Sequence, residues 1–422
     1  MEFSRYLDFE WRPALGCTEP ASIAYCAASA AALTGGTVLS LHLTVDARIY
    51  KNCYAVGIPH SGGRTGILWA TALGALLPDP SAGLEVFRQV DQGVVEAAER
   101  LVDSGAVTVE VDPTRGSLYV DCRVVKSGGV GRALIEEEHT NLTRLELNGK
   151  AQPVYLAASP DRQGSPAELR HDLAERTFEE LLEFSSGLQV EDVERLFAGS
   201  ELNIAISHHG LTLLPRRFFQ AIGDDSVSRL SRLVFAGVYA RMSGEDFTVM
   251  SLAGSGNKGI TVSVPLRLWG EERGHTRTEI GRAMALACLV TSATTHHLGT
   301  LSAICGCSNA AGTGLAAGLV ALEGGTPGQV ALAMNNMVGN VAGMICDGAK
   351  IGCALKTMTS VDAAFRAASL ALSDIGIPES DGVVGRTGEE SLRNLGRIAV
   401  NGMVATDTEI LRIMQEKLRR NS

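Results

Sequence analysis

The sequence predicts an α+β fold, in which a small mixed α/β N-terminal domain precedes a larger all-helical domain. Segments that alternate between apolar and polar residues, as half-buried strands do, are confined to about residues 37–150. Beyond about residue 165, the spacing of apolar residues is that of helices almost to the end. Hydrophobic residues make up 45% of the 422 positions but aromatic residues only 5%, which favours closely packed helices. We expect the two domains to cover residues 1–160 and 161–422.

The N-terminal domain is expected to begin with a helix and then to alternate helices and strands. An alanine-rich helix should start near Pro20, with Thr18 as its capping residue, and end at Gly35 and Gly36. Alternation then predicts a first strand over residues 37–50. The remaining elements should be helices at 67–77 and 84–102 and strands at 106–112, 117–125 and 133–149.

The second domain is expected to contain helices alone. Gly187, Gly254 and Gly376 are among the residues that should end them, because glycine follows many helix C-termini. The last helix should cover residues 406–420, with Thr406 and Asp407 as possible caps and a basic last turn.

One long tract of this domain is almost uncharged. Glu323 is the only formally charged residue between Arg282 and Asp347. The tract nevertheless contains His296 and His297, several asparagines and many small polar residues, a composition that suits a buried polar pocket better than lipid. We therefore expect no membrane span, and we expect the two histidines to be satisfied within the core rather than to act as ligands or bases.

Composition narrows the classes of function. The formal net charge of −10 argues against a general nucleic-acid surface, because phosphate binding needs clustered lysine and arginine. The first residues mix acidic and apolar side chains, so no secretory signal is expected. The nine cysteines are an odd number spread through the chain, which indicates reduced thiols and a cytoplasmic protein. Its long helices of small apolar residues are compatible with a homodimer.

Two short glycine-rich stretches contain four of these cysteines: Cys305 and Cys307 in ICGCSNAAGTG, and Cys346 and Cys353 in GMICDGAKIGC. Free cysteine is often a buried core residue, and that interpretation remains open for the second stretch. No Cys-x-x-Cys pair is present, which argues against zinc. Three or four separated thiolates that converge suit an iron–sulfur cluster better, and a cluster held by three of them leaves one iron open as a Lewis acid.

The local conformation of these stretches decides which thiols can meet. If the second stretch were helical, Cys346 and Cys353 would lie two turns apart on one face, and Asp347 could pair with Lys350. The two cysteines of the first stretch would face different ways on a helix, but either could point into a pocket from a helix start.

Three further segments carry polar groups. Cys17, in GCTEP, lies at a predicted helix N-terminus, which lowers the pKa of a thiol, although a buried loop cysteine is the simpler interpretation. AGSGNKG (253–259) is interpreted as a glycine loop whose Lys258 and N–H groups could hold a carboxylate. His60, in the glycine-rich connection 51–66, could be a general base, although a loop histidine is more often simply solvated.

Taken together, these stretches resemble the L-cysteine desulfidase family almost from end to end. A more distant likeness is to the iron–sulfur-dependent L-serine dehydratases, whose helical domain also carries cysteines beside small-residue helices. The motifs that carry the resemblance occur in order: LGCTEP, IYKN with VGIP, GSGNKG, ICGC, GMICDGAKIGCALK and a late SDG.

The resemblance implies an oxygen-sensitive [4Fe-4S] cluster and the elimination of sulfide from L-cysteine to give pyruvate and ammonia. By motif, it assigns the cluster ligands to Cys17, Cys305 and Cys346, with Cys353 and Cys307 in reserve. No pyridoxal phosphate is required for this non-redox β-elimination.

Within this scheme, the substrate is expected to be held by five residues: Thr18, Asn52, Ser255, Asn257 and Lys258. The base that removes the Cα proton stays open among Lys258, Lys350 and His60. Two alternatives are also open: the same elimination on L-serine or another β-substituted amino acid, and a non-catalytic thiol or cluster-binding sensor.

Overall fold

The structure is a computed structural model that describes residues 2–77, 79–115, 118–154, 165–221, 223–299 and 302–421. It confirms the α+β class, because a mixed sheet with its own helices occupies the N-terminal part and a larger helical body follows. The domain boundary expected after residue 160 lies outside the described residues.

The N-terminal part is built on a six-stranded sheet in the order β3-β2-β4-β5-β6-β7, in which β2 and β3 are parallel and the other described pairs antiparallel. The first elements of the chain are α1 (Phe3–Glu10), β1 (Trp11–Leu15), α2 (Thr18–Ala32), β2 (Val38–Asp46), α3 (Ala47–Cys53), α4 (Ile67–Leu76), a 3₁₀ segment (Pro80–Gln89), α5 (Gln92–Asp103), β3 (Val107–Asp112), β4 (Tyr119–Lys126), β5 (Gly129–Glu136), β6 (Leu142–Leu147) and β7 (Lys150–Gln152).

The helical body surrounds one short strand. Its described elements are α6 (Pro166–Ala174), α7 (Phe178–Ser186), α8 (Val190–Leu213), α9 (Arg216–Ala221), α10 (Ser226–Ser243), β8 (Thr248–Leu252), α11 (Gly256–Glu272), α12 (Arg277–Leu298), α13 (Gly306–Leu322), α14 (Pro327–Val341), α15 (Gly352–Leu372), α16 (Gly388–Arg397), a π-helical turn (Ile398–Gly402) and α17 (Val404–Asn421).

Each part of the chain contributes to the packing of the other. The apolar residues of α1, together with Cys17, belong to the large core of the helical body, whereas α2 to β6 enclose a second core under the sheet. At the other end, α17 returns to the N-terminal part, where Leu411 packs against the second core and Asp407 accepts a 2.5 Å hydrogen bond from the buried Lys51. The two cores are therefore joined by both ends of the chain.

The expectation that every element after about residue 165 is helical is wrong at β8. This strand pairs antiparallel with β1, so that Trp11 lies opposite Leu252. Both strands have five residues, and neither alternates regularly between buried and exposed positions. The period-2 signal is therefore missing from their sequence. Gly254 follows this strand rather than ending a helix, and its φ of +75° allows the chain to turn into α11.

Several predicted boundaries in the N-terminal part are also corrected. The strand predicted over residues 37–50 ends at Asp46, because the Asp46 carboxylate accepts hydrogen bonds from the N–H groups of Arg48 and Ile49 and thereby caps α3. Residues 133–149 form two strands joined by a turn, not one. The helix predicted over residues 84–102 is interrupted, since the Asp91 carboxylate caps a new helix.

Two predicted helix caps are wrong. The N-cap residue of α2 is Cys17, and the Thr18 hydroxyl donates to the Glu19 carboxylate at 3.1 Å instead. The last helix starts at Val404, two residues before the expected cap Thr406, so Asp407 lies within its first turn and is free to pair with Lys51.

Close helix packing, expected from the small-residue composition, is confirmed between α12 and α13. A Cβ atom on Gly314 would lie 2.1 Å from Thr291 Oγ1 and 2.4 Å from the carbonyl oxygen of Ala287. Only glycine permits this approach, and it carries the uncharged tract through the centre of the body. Among the described residues, no helix has both the length and the apolar character that crossing a bilayer requires.

Acid should destabilise this body through the histidines at the end of α12. Burial, followed by the neighbouring His296, lowers the pKa of His297 to about 4. In the unfolded chain the pKa of this histidine is about 6.5, so between about pH 4 and pH 6.5 the unfolded chain binds more protons than the folded chain. The contribution of neutral His297 to the free energy of unfolding is fully present above about pH 6.5. It decreases as the pH falls towards 4, by about 1 kcal/mol after allowance for the partial exposure of the side chain.

His297→Gln should flatten the decline of the urea unfolding midpoint between pH 7 and pH 5. The matched control is His208→Gln, since His208 lies exposed on α8. Equal slopes for the wild-type protein and His297→Gln would show that burial of this imidazole does not contribute.

Candidate functional site

The two cysteine stretches meet at a short antiparallel bridge between Ile304 and Ile345. The N–H group of Cys305 donates to the Met344 carbonyl at 2.9 Å, and that of Cys346 donates to the Ala303 carbonyl at 2.7 Å. These backbone bonds bring residues 305 and 346 side by side, so two thiols distant in sequence share one location.

Cys305 is the central member of a group of three thiols, which we call the thiol cluster: Cys305, Cys307 and Cys346. Cys305 is the N-cap residue of α13 and Cys307 lies in its first turn. The Cys305 side chain hydrogen-bonds to both of the other sulfur atoms. The second stretch is extended at Cys346 and becomes helical only at Gly352, so the helical arrangement of Cys346 and Cys353 predicted from sequence is wrong.

Protonation divides unequally within the thiol cluster. The hydrogen bond from Cys305 is the main cause that lowers the pKa of both Cys307 and Cys346. Lys258 adds positive charge near Cys307, and Lys51 does so near Cys346. The same hydrogen bonds, together with burial, raise the pKa of Cys305. The cluster therefore favours a thiol at Cys305 and thiolates at Cys307 and Cys346, and the single S–H proton of Cys305 can be donated to either of them in turn.

Cys353 lies beside this cluster in a different state. It is the second residue of α15, and its thiol donates to the Gly348 carbonyl at 3.5 Å. Burial raises its pKa to about 12, so it is protonated at neutral pH. The expected pairing of Asp347 with Lys350 is confirmed, and Lys356 contacts the same carboxylate oxygen.

Lys258 lies in the first turn of α11 and is only 4% exposed. Residues 256–259 of the predicted loop 253–259 therefore belong to a helix. The ammonium group donates to the Ala253 carbonyl at 3.1 Å and to Thr295 Oγ1 at 2.9 Å. Its side chain also runs beside Gly306, where a Cβ atom would lie 3.2 Å from Lys258 Cε. Burial is the main cause that lowers its pKa to about 8.

The other predicted substrate residues near α11 are Ser255 and Asn257. The Ser255 hydroxyl lies 3.4 Å from Cys307 Sγ, so it borders the thiol cluster. The amide oxygen of Asn257 accepts a 2.9 Å hydrogen bond from the guanidinium of Arg241, a residue that sequence reasoning did not select. Arg241 also donates to the Gly16 carbonyl at 2.7 Å and thereby ties the GCTEP segment to the start of α11.

Cys17 faces Glu19 rather than the thiol cluster in this structure. Its thiol donates to the Glu19 carboxylate at 2.9 Å, and burial followed by that carboxylate raises its pKa well above the usual range. Among the described hydrogen bonds, none joins Cys17 to the other three predicted ligands. Thr18 donates to the same carboxylate, so Glu19 organises this segment although sequence reasoning gave it no role.

Three remaining candidates lie in different surroundings. His60 has a φ of +59°, and its Nε2 atom lies 3.1 Å from Asp246 Oδ1 near the surface. Lys350 pairs with Asp347 and donates to the carbonyl of the same residue at 2.9 Å. Asn52 is buried near the end of α3.

The residues that sequence reasoning missed are mostly buried charges outside the glycine motifs. Arg241 lies near the end of an ordinary helix and Lys51 lies within IYKN, where only its neighbour Asn52 was selected. The available signal was a charged residue within an apolar helical pattern, which is costly to bury without a partner. Among the described residues, no three His, Cys, Asp or Glu side chains are arranged around a point that would hold a single metal ion.

The fold and site define an α+β protein whose helical body presents a thiol cluster, a buried lysine and several helix N-termini to one polar centre. Comparison with known proteins places this architecture in a family. A family model described as the serine dehydratase alpha chain matches residues 136–412, which include α6 to α16 and the thiol cluster. The chain belongs to this family, which points to a lyase of the dehydratase type and supports an iron–sulfur cofactor.

Full-length relatives extend the match to the N-terminal part. A UPF0597 protein of Geobacter sulfurreducens is 39% identical over 96% of both chains. A UPF0597 protein of Desulfotalea psychrophila is 37% identical over the whole of both chains, and one of Caldanaerobacter subterraneus is 36% identical over 96% of both. The dehydratase likeness noted from sequence is thereby confirmed, whereas these names specify no cysteine desulfidase.

Thiol alkylation of cluster-free protein should report the unequal protonation of the thiol cluster. We expect iodoacetamide to modify Cys307 and Cys346 first at pH 7, because both are partly exposed and favour the thiolate. Cys305→Ala removes the shared donor and should move their labelling profiles up by about one pH unit.

Mass spectrometry of quenched samples measures this labelling, and the buried Cys122 provides an internal control. Unchanged profiles in Cys305→Ala would contradict the assignment of the shared hydrogen bonds.

Proposed function

We propose that this chain is a [4Fe-4S]-dependent lyase that eliminates sulfide from L-cysteine and yields pyruvate and ammonia. The observation that carries the proposal is the thiol cluster beside Lys258, in which acidified thiols border a buried amine. A β-elimination of this kind needs a Lewis acid, which the thiols can hold, and a general base, which the amine can supply. Membership of the dehydratase family supports the same class of reaction.

The donor set fits an iron–sulfur cluster in its chemistry. Thiolates are the usual protein ligands of such clusters, and the site favours them at Cys307 and Cys346, whereas the pKa values of Cys17 and Cys305 are raised in this structure. In addition, Ser308 Oγ and Asn309 Oδ1 are buried in the first turn of α13 without a hydrogen-bond partner. Unpartnered buried polar atoms next to the thiols are expected where a further group belongs.

We assign Cys17, Cys305 and Cys346 as ligands by motif, with Cys353 and Cys307 in reserve. The contact of Cys307 with Cys305 favours Cys307 as the stronger reserve, because Cys353 keeps its proton on the Gly348 carbonyl. When bound, the cluster supplies a Lewis-acidic iron that stabilises the departing sulfide.

The protein itself supplies the base. Lys258 is proposed to take the Cα proton at Nζ, since with a pKa of about 8 a substantial fraction of its side chain is neutral near pH 8. Thr295 Oγ1 and the Ala253 carbonyl fix the direction of the amine, and burial excludes water from it. Lys350 and His60 are less suitable, because each is already paired with a carboxylate.

A second candidate substrate is L-serine. The matching family of serine dehydratase alpha chains supports it, and the residues that would hold the carboxylate and remove the Cα proton are the same for both amino acids. The elimination then expels hydroxide instead of sulfide. A non-catalytic sensor is the third interpretation, and it predicts no turnover of either amino acid.

The first test measures products from L-cysteine and L-serine with protein purified and reconstituted without oxygen. We expect equal amounts of sulfide and pyruvate from L-cysteine, both lost together with the visible absorbance of the cluster after exposure to air. Pyruvate from L-serine alone would show that the protein is a serine dehydratase. No product from either substrate, with the absorbance intact, would favour the sensor.

Lys258→Met should lower kcat by about 10²–10⁴-fold, because it keeps the length of the side chain but removes the base. Lys350→Met and His60→Gln should have much smaller effects, since both side chains are engaged by Asp347 and Asp246. Steady-state kinetics on the three reconstituted variants, matched for cluster content by absorbance, make the comparison. A larger loss in His60→Gln than in Lys258→Met would assign the base to His60.

A further inference from the structure

Arg241 is a buried cation without a carboxylate partner among the described residues. It lies near the end of α10 and is 2% exposed. Two of its N–H groups reach uncharged acceptors, the amide oxygen of Asn257 and the carbonyl of Gly16, while its buried Nε–H has no hydrogen-bond partner. Other buried arginines differ, since Arg170 pairs with Glu10 and Arg232 with Asp224.

Such an arrangement is unfavourable unless an anion completes it. A buried charge is normally paired, because an unpaired one loses its hydration without compensation. The acceptors on Asn257 and Gly16 hold the guanidinium in place but leave its positive charge unbalanced. The carboxylate of Glu19, in the same segment as Gly16, accepts hydrogen bonds from the Cys17 thiol and the Thr18 hydroxyl.

Two helix N-termini point to the same place. Arg241 contacts the residue just before Cys17, the N-cap of α2, and it contacts Asn257 in the first turn of α11. Neither N-terminus has a side-chain cap. At α2 the Glu19 N–H is directed to the Cys17 sulfur, whereas the first N–H groups of α11 remain available. The positive ends of their dipoles add to the guanidinium charge.

Gly256 shapes this region. A Cβ atom on Gly256 would lie 2.5 Å from Arg241 Nε, so glycine allows the guanidinium to lie directly against the start of α11. The unpartnered Nε–H is therefore held at the helix end whose next residues are Asn257 and Lys258. Ser255, the N-cap of the same helix, borders the thiol cluster through its 3.4 Å contact with Cys307.

We propose that Arg241 binds the α-carboxylate of the amino-acid substrate, together with the uncapped N–H groups of α11. This inference rests on the proposed function for the identity of the ligand. Arg241 supplies the charge-assisted hydrogen bonds, and Asn257, assigned from sequence to the substrate, becomes a positioning residue that orients the guanidinium. A carboxylate at this point lies at the helix N-terminus whose N-cap is Ser255 and whose first turn contains the proposed base, Lys258.

The test compares two small thiols as binding probes on the reconstituted protein by isothermal titration calorimetry. 3-Mercaptopropionate carries the thiol and the carboxylate, whereas cysteamine carries the thiol and the amine. Wild-type protein should bind 3-mercaptopropionate more tightly. Arg241→Lys should weaken that binding by about tenfold or more, because a lysine cannot reproduce the guanidinium fork, and should leave cysteamine binding unchanged.

Asn257→Ala provides a second variant that leaves the charge in place, and it should weaken the same probe by a smaller factor. Arg232→Lys is the matched control, a buried arginine on the same helix paired with Asp224, and it should bind both probes as the wild-type protein does. Thermal unfolding of each variant verifies that it is folded.

Two results would overturn the assignment: equal loss of both probes in Arg241→Lys, or wild-type protein that binds 3-mercaptopropionate no better than cysteamine. Neither measurement requires turnover. Selective loss of the carboxylate probe in a protein that releases no product from L-cysteine or L-serine would support the carboxylate site and reject the proposed reaction. Product release by the wild-type protein, with equal loss of both probes in Arg241→Lys, would support the proposed reaction and reject the carboxylate site.

Discussion

The bridge between Ile304 and Ile345 is the interaction on which the rest of the site depends. Its two backbone hydrogen bonds, to the carbonyls of Met344 and Ala303, place the N-terminus of α13 beside the segment that precedes α15. Without it, Cys305 and Cys346 would belong to separate parts of the helical body. Because the contact is made by the main chain, it needs no particular side chain at positions 304 and 345, which leaves both free to vary while the thiols stay in register.

Around this bridge, positive charge is concentrated by the ends of helices and by buried cations. Helices α2, α11 and α13 all begin at residues of the site without a side-chain cap, whereas α3, α5, α6 and α10 are capped by Asp46, Asp91, Ser165 and Asp225. Lys258 and Lys51 supply the charges near the thiolates of Cys307 and Cys346. An environment of this kind stabilises anions, whether thiolates, carboxylate or the carbanion that develops during elimination.

The sequence predicted the fold class and the two thiol stretches, because both leave local signals: period in the apolar pattern, and glycine beside cysteine. Prediction from the sequence failed for residues whose conformation or burial depends on contacts with distant parts of the chain. Cys346 lies outside the helix considered for it, which starts only at Gly352, and β8 gave no regular alternation because its last two residues are both buried. The only local signal at Arg241 is a charge within an apolar helical pattern, and that signal does not distinguish an arginine that will be buried against Gly16 from one that covers a surface. The site ligands, base and substrate residues remain predictions.

The C-terminal helix α17 holds a lysine whose charge acts on the thiol cluster. Lys51 is 2% exposed, and its ammonium group donates a hydrogen bond to Asp407 of α17. A Cβ atom on Gly348 would lie 2.1 Å from the main-chain oxygen of Lys51. The segment after Cys346 therefore packs directly on α3, and only a glycine with a φ of +95° fits there. Since the charge of Lys51, after the hydrogen bond from Cys305, lowers the pKa of Cys346, the contact of α17 with Lys51 influences the protonation of a thiol of the helical body. The two ends of the chain thus do more than close the fold: α1 and Cys17 complete the helical core, and α17 fixes the cation that faces the thiol cluster from the sheet side.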